Sequence, residues 1–276
     1  MQAYRRFAIP YGQAGMLPLS VETIGIVRED RRIGRADGYP WYHWLQTVSG
    51  EGVFTVGGHS FALPAGTGIL VAPEVPHAYE PVSELWETAY LTFGGPAAGA
   101  MLLALGLIEP APIRWTPDSP LEGYLHAMLD RIEADDDLFG LDASADAYRF
   151  LLMLKRHGTS GRQDSVDRAS AKLKPLIEWM EQRYADPDAG LAEMREVLGM
   201  PASSMNELFR RAFGQSPYHY LIDLRMRKAK EMLIGTPQVT VARIAALAGF
   251  RDASHFVATF RRKTGMPPDK FRRLYE

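Results

Sequence analysis

The first third of the chain alternates apolar and polar residues with a period of two. Between residues 41 and 93, short runs rich in aromatic and β-branched residues are separated by turns that contain glycine or proline. The turns at residues 49–52 and 57–58 predict two successive hairpins, and a last strand is predicted at residues 87–93, after a proline-containing loop. Many short strands with such turns are typical of a β-sandwich or small barrel.

From residue 96 the apolar spacing becomes helical. One predicted helix has its apolar stripe at Leu121, Leu125, Met128, Leu129 and Ile132. A second stripe begins with Tyr148, Leu151, Leu152 and Lys155. These stripes must cover either the β domain or the same helices of another subunit, and the second alternative makes them candidate dimerisation helices. The polar segment 158–168 has no apolar period and predicts a linker.

The last part of the chain is predicted to be helical and contains an internal repeat. Six positions recur with an offset of 51 residues: Phe209, Arg210, Arg211, Gly214, Pro217 and Tyr220 match Phe260, Arg261, Arg262, Gly265, Pro268 and Phe271. Each copy consists of a short amphipathic helix, a turn with glycine, and a second helix that ends in a basic cluster. A lone pattern of this kind fits an ordinary helical hairpin. Two copies in register favour a pair of helix-turn-helix motifs, whose second helices enter the major groove of DNA.

The segment between the two copies is predicted to be one continuous helix over residues 218–234. Its leucines, Leu221, Leu224 and Leu233, are expected in the core. Its basic residues, Arg225, Arg227, Lys228 and Lys230, are expected in solvent. Such a helix would fix the separation of the two recognition helices, at about 1.5 Å of rise per residue.

Composition changes this picture only when it is divided by region. The 276 residues carry a formal net charge of -2, which taken alone argues against a nucleic-acid partner. From residue 169 onward, however, 18 Lys and Arg stand against 12 Asp and Glu, a net charge of +6, so the remainder has a net charge of −8.

The absence of cysteine excludes disulfides, thiolate metal sites and cysteine nucleophiles. No stretch approaches the roughly 18 apolar residues of a spanning helix, so we expect a soluble, cytoplasmic protein without a membrane partner.

The basic part resembles the DNA-binding domain of the AraC/XylS family of bacterial transcription regulators. The resemblance rests on YLIDLRMRKAKEML, on TVARIAALAGFRDASHFVATFRRKTGMPPDKFRR and, less closely, on LAEMREVLGMPASSMNELFRRAFGQSP. The N-terminal part resembles the family's cupin-like effector domain through VSGEGVFTVGGHSFALPAGTGILVAPEVPHAYEP and WETAYLTFGG. The resemblance implies a multidomain α+β chain. A cupin-like β-sandwich or barrel with a helical extension would precede an all-α domain, in which a linker helix joins two helix-turn-helix motifs.

The implied domains follow the changes in pattern. They are an effector-binding domain at 1–95, a helical extension with possible dimerisation helices at 96–157, a linker at 158–168 and a DNA-binding domain at 169–276. The two motifs would occupy about 191–213 and about 240–263. The implied partners are double-stranded promoter DNA, a small-molecule effector such as a sugar, RNA polymerase and a second copy of the chain, with no cofactor.

Site residues are carried over from the family by position. Those that would face base edges are Ser203, Asn206 and Glu207 in the first motif and Ser254, His255, Val257 and Ala258 in the second. Phosphate contacts would come from Arg210, Arg211, Arg261 and Arg262, and from amides at helix N-termini. The family's small residue in the first helix of a motif is present as Ala245, but Arg195 takes its place in the first copy and must snorkel or loosen the packing.

The N-terminal domain is open to two interpretations. As an effector domain it would bind its ligand through Arg35, Trp41, His43, His77, Tyr79, Thr88 and Tyr90. As a metal-dependent cupin enzyme it would need about three protein ligands, and His43 and His77 have no clustered carboxylate, so we expect neither a metal site nor catalysis. A regulator without a small-molecule effector is a third alternative.

Overall fold

A computed structural model describes residues 4–7, 17–134, 137, 140–160 and 166–275. The chain divides into two compact units, Met1–Asp167 and Arg168–Glu276. None of the helices in the described ranges has both the length and the apolar character needed to cross a bilayer.

The first unit is built on two antiparallel sheets. Its strands are β1 (Tyr4–Phe7), β2 (Ser20–Glu29), β3 (Ile33–Arg35), β4 (Tyr42–Ser49), β5 (Glu51–Val56), β6 (His59–Pro64), β7 (Thr67–Val71), β8 (His77–Pro81), β9 (Trp86–Gly94), β10 (Ile113–Arg114) and β11 (Thr159–Ser160). The larger sheet has the order β1-β2-β9-β4-β7-β10-β11, and the smaller has the order β3-β8-β5-β6. The predicted sandwich is therefore confirmed.

The strands begin earlier in the chain than the sequence pattern indicated. The longest strand, β2, was not predicted, nor were β3 and β8. Seven of the ten residues of β2 are buried, because it pairs with strands on both edges while helices pack against it. A strand that is covered on both faces loses the polar alternation by which a half-buried strand is recognised.

Helices α1 (Ala98–Leu105), α2 (Tyr124–Ala134) and α3 (Leu141–His157) cover the outer face of the larger sheet. Trp44 of β4 meets Phe150 of α3 edge-on, with 5.5 Å between ring centroids. The apolar stripes therefore cover the β domain, which was one of the two alternatives. The second stripe is shifted from its predicted position: Tyr148 and Leu152 are exposed, because the sheet buries the neighbouring face of α3.

The second unit is helical. Its helices are α4 (Val166–Arg183), α5 (Leu191–Leu198), α6 (Ala202–Phe213), α7 (Pro217–Gly235), α8 (Val241–Leu247), α9 (Ala253–Thr264) and α10 (Pro268–Arg272). Helices α5 and α6 form the first helix-turn-helix and α8 and α9 the second. Inside the predicted linker, β11 pairs with β10 and α4 begins at Val166, whereas residues 161–165 lie outside the described part of the chain.

Helix α7 belongs to the cores of both motifs, and its predicted continuity is confirmed. Leu221 and Leu224 pack into the first core, with Met205 and Phe209 of α6. The second core contains Ile222, Met226, Ala229 and Leu233 of the same helix, with Phe256 and Phe260 of α9. One rigid element thus connects the two motifs.

Candidate nucleic-acid interface and effector site

The recognition helices, α6 and α9, are anchored in the same way. Each has 12 residues, buries at least one phenylalanine on one face and ends at a glycine in the left-handed conformation. The opposite face contains the predicted DNA-contacting residues. Exposed are Ser203, Glu207, Arg210, Arg211, Ser254, His255, Ala258, Arg261 and Arg262, and partly exposed are Asn206 and Val257.

The second recognition helix lines an open groove of about 790 Å³. The groove is lined by Ala253, Ser254, Val257, Ala258, Arg261, Arg262 and Gly265. Five of the six residues predicted for this motif are thus brought together. The sixth, His255, lies against the ring of Phe250 instead, with 5.7 Å between ring centroids.

The two recognition helices differ in their charged groups. Glu207 forms an ion pair with Arg211 one turn away, whereas Arg210 has no ion-pair partner among the residues that the structure describes. In the second motif, neither Arg261 nor Arg262 has an ion-pair partner among the described residues. We therefore expect the second motif to make the larger contribution to phosphate binding.

The helix N-termini differ as well. The Asp252 carboxylate accepts a 2.7 Å hydrogen bond from the Ser254 amide at the start of α9, so this amide is not free for a phosphate. Helix α6 begins after Pro201 without a side-chain cap. An uncapped N-terminus leaves amides that can bind an anion. The expected amide contact therefore fits the first motif better than the second.

The small-residue position also differs between the motifs. Ala245 is buried in the second core, and its carbonyl accepts a hydrogen bond from the Phe250 amide. Arg195, at the matching position of the first motif, is exposed. Arg195 therefore reaches solvent, as the snorkelling alternative requires, and is not buried against the first core.

Arg225 is buried at a joint between the two motifs, which contradicts its predicted exposure. Its guanidinium donates to the Tyr184 carbonyl over 2.8 Å through Nε and to the Asp186 carbonyl over 2.7 Å through Nη2. Its charge lies 6.0 Å from the centre of the Phe250 ring, in the turn of the second motif. Burial lowers the pKa of this guanidinium. We call Tyr184, Asp186, Arg225, Gly249 and Phe250 the α7 joint.

Close packing at the α7 joint requires Gly249. Its φ of +82° lies in the left-handed region, and a Cβ there would stand 2.1 Å from the Tyr184 carbonyl oxygen and 2.8 Å from Arg225 Nε. Only glycine lets the second turn approach the end of α4 this closely. The joint therefore ties the two motifs together by contacts that the sequence pattern does not reveal.

Inside the β-sandwich, aromatic side chains from both sheets surround His43. We call Tyr39, His43, His77, Tyr79 and Tyr90 the ring cluster. The His43 ring centroid lies 5.3 Å from that of His77, 6.1 Å from Tyr79, 6.2 Å from Tyr90 and 6.4 Å from Tyr39. The larger sheet contributes His43 and Tyr90 and the smaller one His77 and Tyr79, so the cluster lies between the sheets.

The two histidines form a directed hydrogen-bond chain. His77 Nδ1 lies 2.8 Å from the Val75 carbonyl, which can only accept, so Nδ1 has the proton and Nε2 has the lone pair. His43 Nδ1 lies 3.3 Å from His77 Nε2 and therefore donates to it. Burial lowers the pKa of both histidines, and the charge of Arg35 lowers them further. Both rings are thus neutral at pH 7.

A carboxylate missed by the sequence analysis borders the ring cluster. Strand β2 has a bulge between Val21 and Thr23, and a bulge re-aims side chains. Glu22 at this bulge accepts hydrogen bonds from the Tyr39 hydroxyl over 2.9 Å and from the Thr92 hydroxyl over 2.6 Å. Burial and the bond to Glu22 raise the pKa of Tyr39 to about 12.

Two predicted effector residues lie apart from the ring cluster. Trp41 lies against Gly94 at the end of β9, where a Cβ would meet its ring at 2.5 Å. Thr88 is fully buried, and its hydroxyl has the Val27 carbonyl and Glu29 as hydrogen-bond acceptors. The residues described also include no group of three His, Cys, Asp or Glu side chains that could hold a metal ion.

Comparison with known proteins identifies both units. A model described as an AraC-like ligand binding domain matches residues 27–151, and one described as a helix-turn-helix domain matches residues 194–274. The chain belongs to the AraC/XylS family. It is an AraC-type DNA-binding transcription regulator with an N-terminal ligand-binding domain, and the proteins it matches are transcription regulators, not enzymes.

One curated relative and two solved structures are similar to this chain over different shares of its length. The chain is 26% identical over 241 residues to the HTH-type transcriptional activator RhaS of Escherichia coli O139:H28. The matched region covers 84% of this chain and 85% of that protein. It is 30% identical to the C-terminal domain of the response regulator yesN from Fusobacterium nucleatum, covering 36% of this chain and 96% of that one, with a TM-score of 0.34. The C-terminal domain of AraT from Geobacillus stearothermophilus is 24% identical, covering 41% and 88%, with a TM-score of 0.35.

Proposed function

We propose that this AraC-type regulator binds a small-molecule effector, a carbohydrate or related metabolite, at the ring cluster. The observation that carries the proposal is the buried set of aromatic rings with polar atoms between the two sheets, around His43. Ligand sites are largely apolar with a few placed polar groups, and aromatic faces suit the C–H faces of sugars. The contact residues would be Arg35, His43, His77, Tyr79 and Tyr90, with Trp41 and Thr88 outside the first contact layer.

On DNA, the exposed faces of α6 and α9 would enter successive major grooves. Bases would be contacted by Ser203, Asn206, Glu207, Ser254, His255, Val257 and Ala258, and phosphates by Arg210, Arg211, Arg261 and Arg262. The ion pair with Arg211 leaves Glu207 less able to accept from a cytosine amino group. Val257 and Ala258 offer only apolar contact, such as with thymine methyl groups.

The regulator would activate transcription and would bind DNA as a pair of chains. The relative RhaS is named a transcriptional activator. By analogy, this chain would act in the cytoplasm and activate transcription by contacting RNA polymerase. Two copies would pair through α3, which exposes Leu141, Tyr148 and Leu152 after its buried face has covered the sheet. Effector binding would shift an equilibrium between two arrangements of the DNA-binding units by its differential affinity for them.

A thermal-shift screen of sugars and small metabolites on the full chain tests the effector site. At least one compound should raise the melting temperature of the wild type, because a ligand at 100 times its Kd adds about 2.7 kcal/mol of stability. His43→Phe should lose this shift, whereas His59→Phe, a change at an exposed histidine of β6, should keep it. Equal shifts in the wild type and His43→Phe would contradict binding at the ring cluster.

A further inference from the structure

Arg35 enters the ring cluster from the edge of the smaller sheet. In the pairing of β3 with β8, Arg35 stands directly opposite His77, so the two side chains lie on the same face of the sheet. The Arg35 guanidinium carbon lies 4.3 Å from the centre of the Tyr39 ring. The charge of Arg35 also contributes to the lowered pKa of His43 and His77, which places it within electrostatic reach of both.

One nitrogen of this guanidinium has no acceptor. Arg35 Nη1 is buried and has no hydrogen-bond partner in the described part of the chain. The nearby carboxylate of Glu22 is occupied by Tyr39 and Thr92. Arg225 shows the usual arrangement, because its buried donors reach two carbonyl oxygens. Buried donors in native proteins are nearly always satisfied, so an exception in a binding domain indicates an acceptor supplied from outside.

His43 adds a second requirement for the ligand. Its Nδ1 donates to His77, and a neutral imidazole that donates through Nδ1 has an acceptor at Nε2. His43 Nε2 has no hydrogen-bond partner in the residues that the structure covers. A ligand in the cluster therefore meets a cationic donor at Arg35 and a neutral acceptor at His43.

We propose that the effector is a hydroxycarboxylic acid, such as a sugar acid, whose carboxylate pairs with Arg35 and whose hydroxyl donates to His43 Nε2. The proposal rests on the effector site at the ring cluster and specifies its ligand. A carboxylate matches a guanidinium in charge and geometry. A phosphate monoester fits less well, because its nearly double negative charge would stand close to Glu22.

Calorimetric titration of the full chain with matched ligands tests the charge requirement. The probes are glucose, gluconate, glucuronate and glucose 6-phosphate, with the corresponding galactose series and acetate as the minimal carboxylate. We expect at least one sugar acid to bind at least tenfold more tightly than its neutral and phosphorylated counterparts. Arg35→Met should weaken that acid at least tenfold, and Arg32→Met, a change at an exposed neighbour, should alter its affinity less than twofold.

The melting temperature of unliganded Arg35→Met serves as the folding control. It should equal or exceed that of the wild type, because the substitution removes an unpaired buried donor, and Arg35→Lys should restore part of the acid affinity. Binding of a neutral sugar that is lost in His43→Phe but unchanged in Arg35→Met would overturn this inference and leave the effector site standing. Preference for the phosphate would overturn the inference alone. Failure of every probe to bind would overturn the inference, whereas the effector site itself is tested by the wider thermal-shift screen.

Discussion

Arg225→Met is expected to lower the melting temperature of the DNA-binding unit by more than about 10 °C. Methionine keeps most of the apolar stem but cannot donate, so the Tyr184 and Asp186 carbonyls lose their charged partner. Hydrogen bonds to charged groups contribute about 1.5–3 kcal/mol each, and 1 kcal/mol corresponds to roughly 4–8 °C in a small domain. Scanning calorimetry of the full chain measures the melting temperature. Hydrogen exchange of the α7 amides identifies which transition belongs to the DNA-binding unit.

Arg227→Met is the matched control, because Arg227 lies two residues away on the same helix and forms an exposed ion pair with Glu181. Exposed pairs contribute about 0–1 kcal/mol, so this variant should melt within a few degrees of the wild type. At a temperature where both variants are folded, only Arg225→Met should lose affinity for a duplex long enough to reach both motifs. Equal melting temperatures for the two variants would show that the α7 joint does not hold the motifs together.

Ala245→Glu is expected to abolish DNA binding by the second motif. Ala245 is 1% exposed among apolar residues of the second core, so a glutamate there is buried without a partner and also overpacks the helix contact. An uncompensated buried charge costs several kcal/mol, which is much of the stability of a small domain. Fluorescence anisotropy on a duplex selected by the wild type from a random library should show at least a hundredfold loss of affinity.

The adjacent Ala246 is exposed and provides the control, since Ala246→Glu introduces the same charge into the same helix without burying it. Arg195→Ala should also be mild, because Arg195 is exposed at the matching position of the first motif. A comparable loss of affinity in Ala245→Glu and Arg195→Ala would contradict the difference in packing between the two motifs.

The sequence predicts those parts of the fold in which burial is one-sided. Strand β5 alternates between buried and half-buried positions and helix α2 has one buried face, so both were visible in the pattern. Strand β2 is buried on both faces and has no such signal. The register of α3 was misjudged because apolar residues flank Leu151 on both sides, and only the sheet determines which of them are buried.

The candidate sites show the same limit. The recognition-helix residues are those that the resemblance to the family implies, and the 51-residue repeat gives both motifs the same register. Glu22 could not be found, since its orientation depends on a bulge in a strand that was not predicted. Arg225 was expected in solvent because arginines are mostly exposed, and no local pattern shows that two backbone carbonyls from the turn after α4 accept its hydrogen bonds.

The dependence of DNA affinity on salt tests most directly whether the second recognition helix, α9, binds DNA through Arg261 and Arg262. On the selected duplex, the logarithm of the wild-type affinity should fall linearly with the logarithm of salt concentration. The double variant Arg261→Ala and Arg262→Ala should bind more weakly, with a slope that is shallower by about 2, since each phosphate contact contributes about 0.9. Lys174→Ala, a change on the exposed face of α4, should leave the slope unchanged. A flat salt dependence with full binding by the double variant would contradict the assignment.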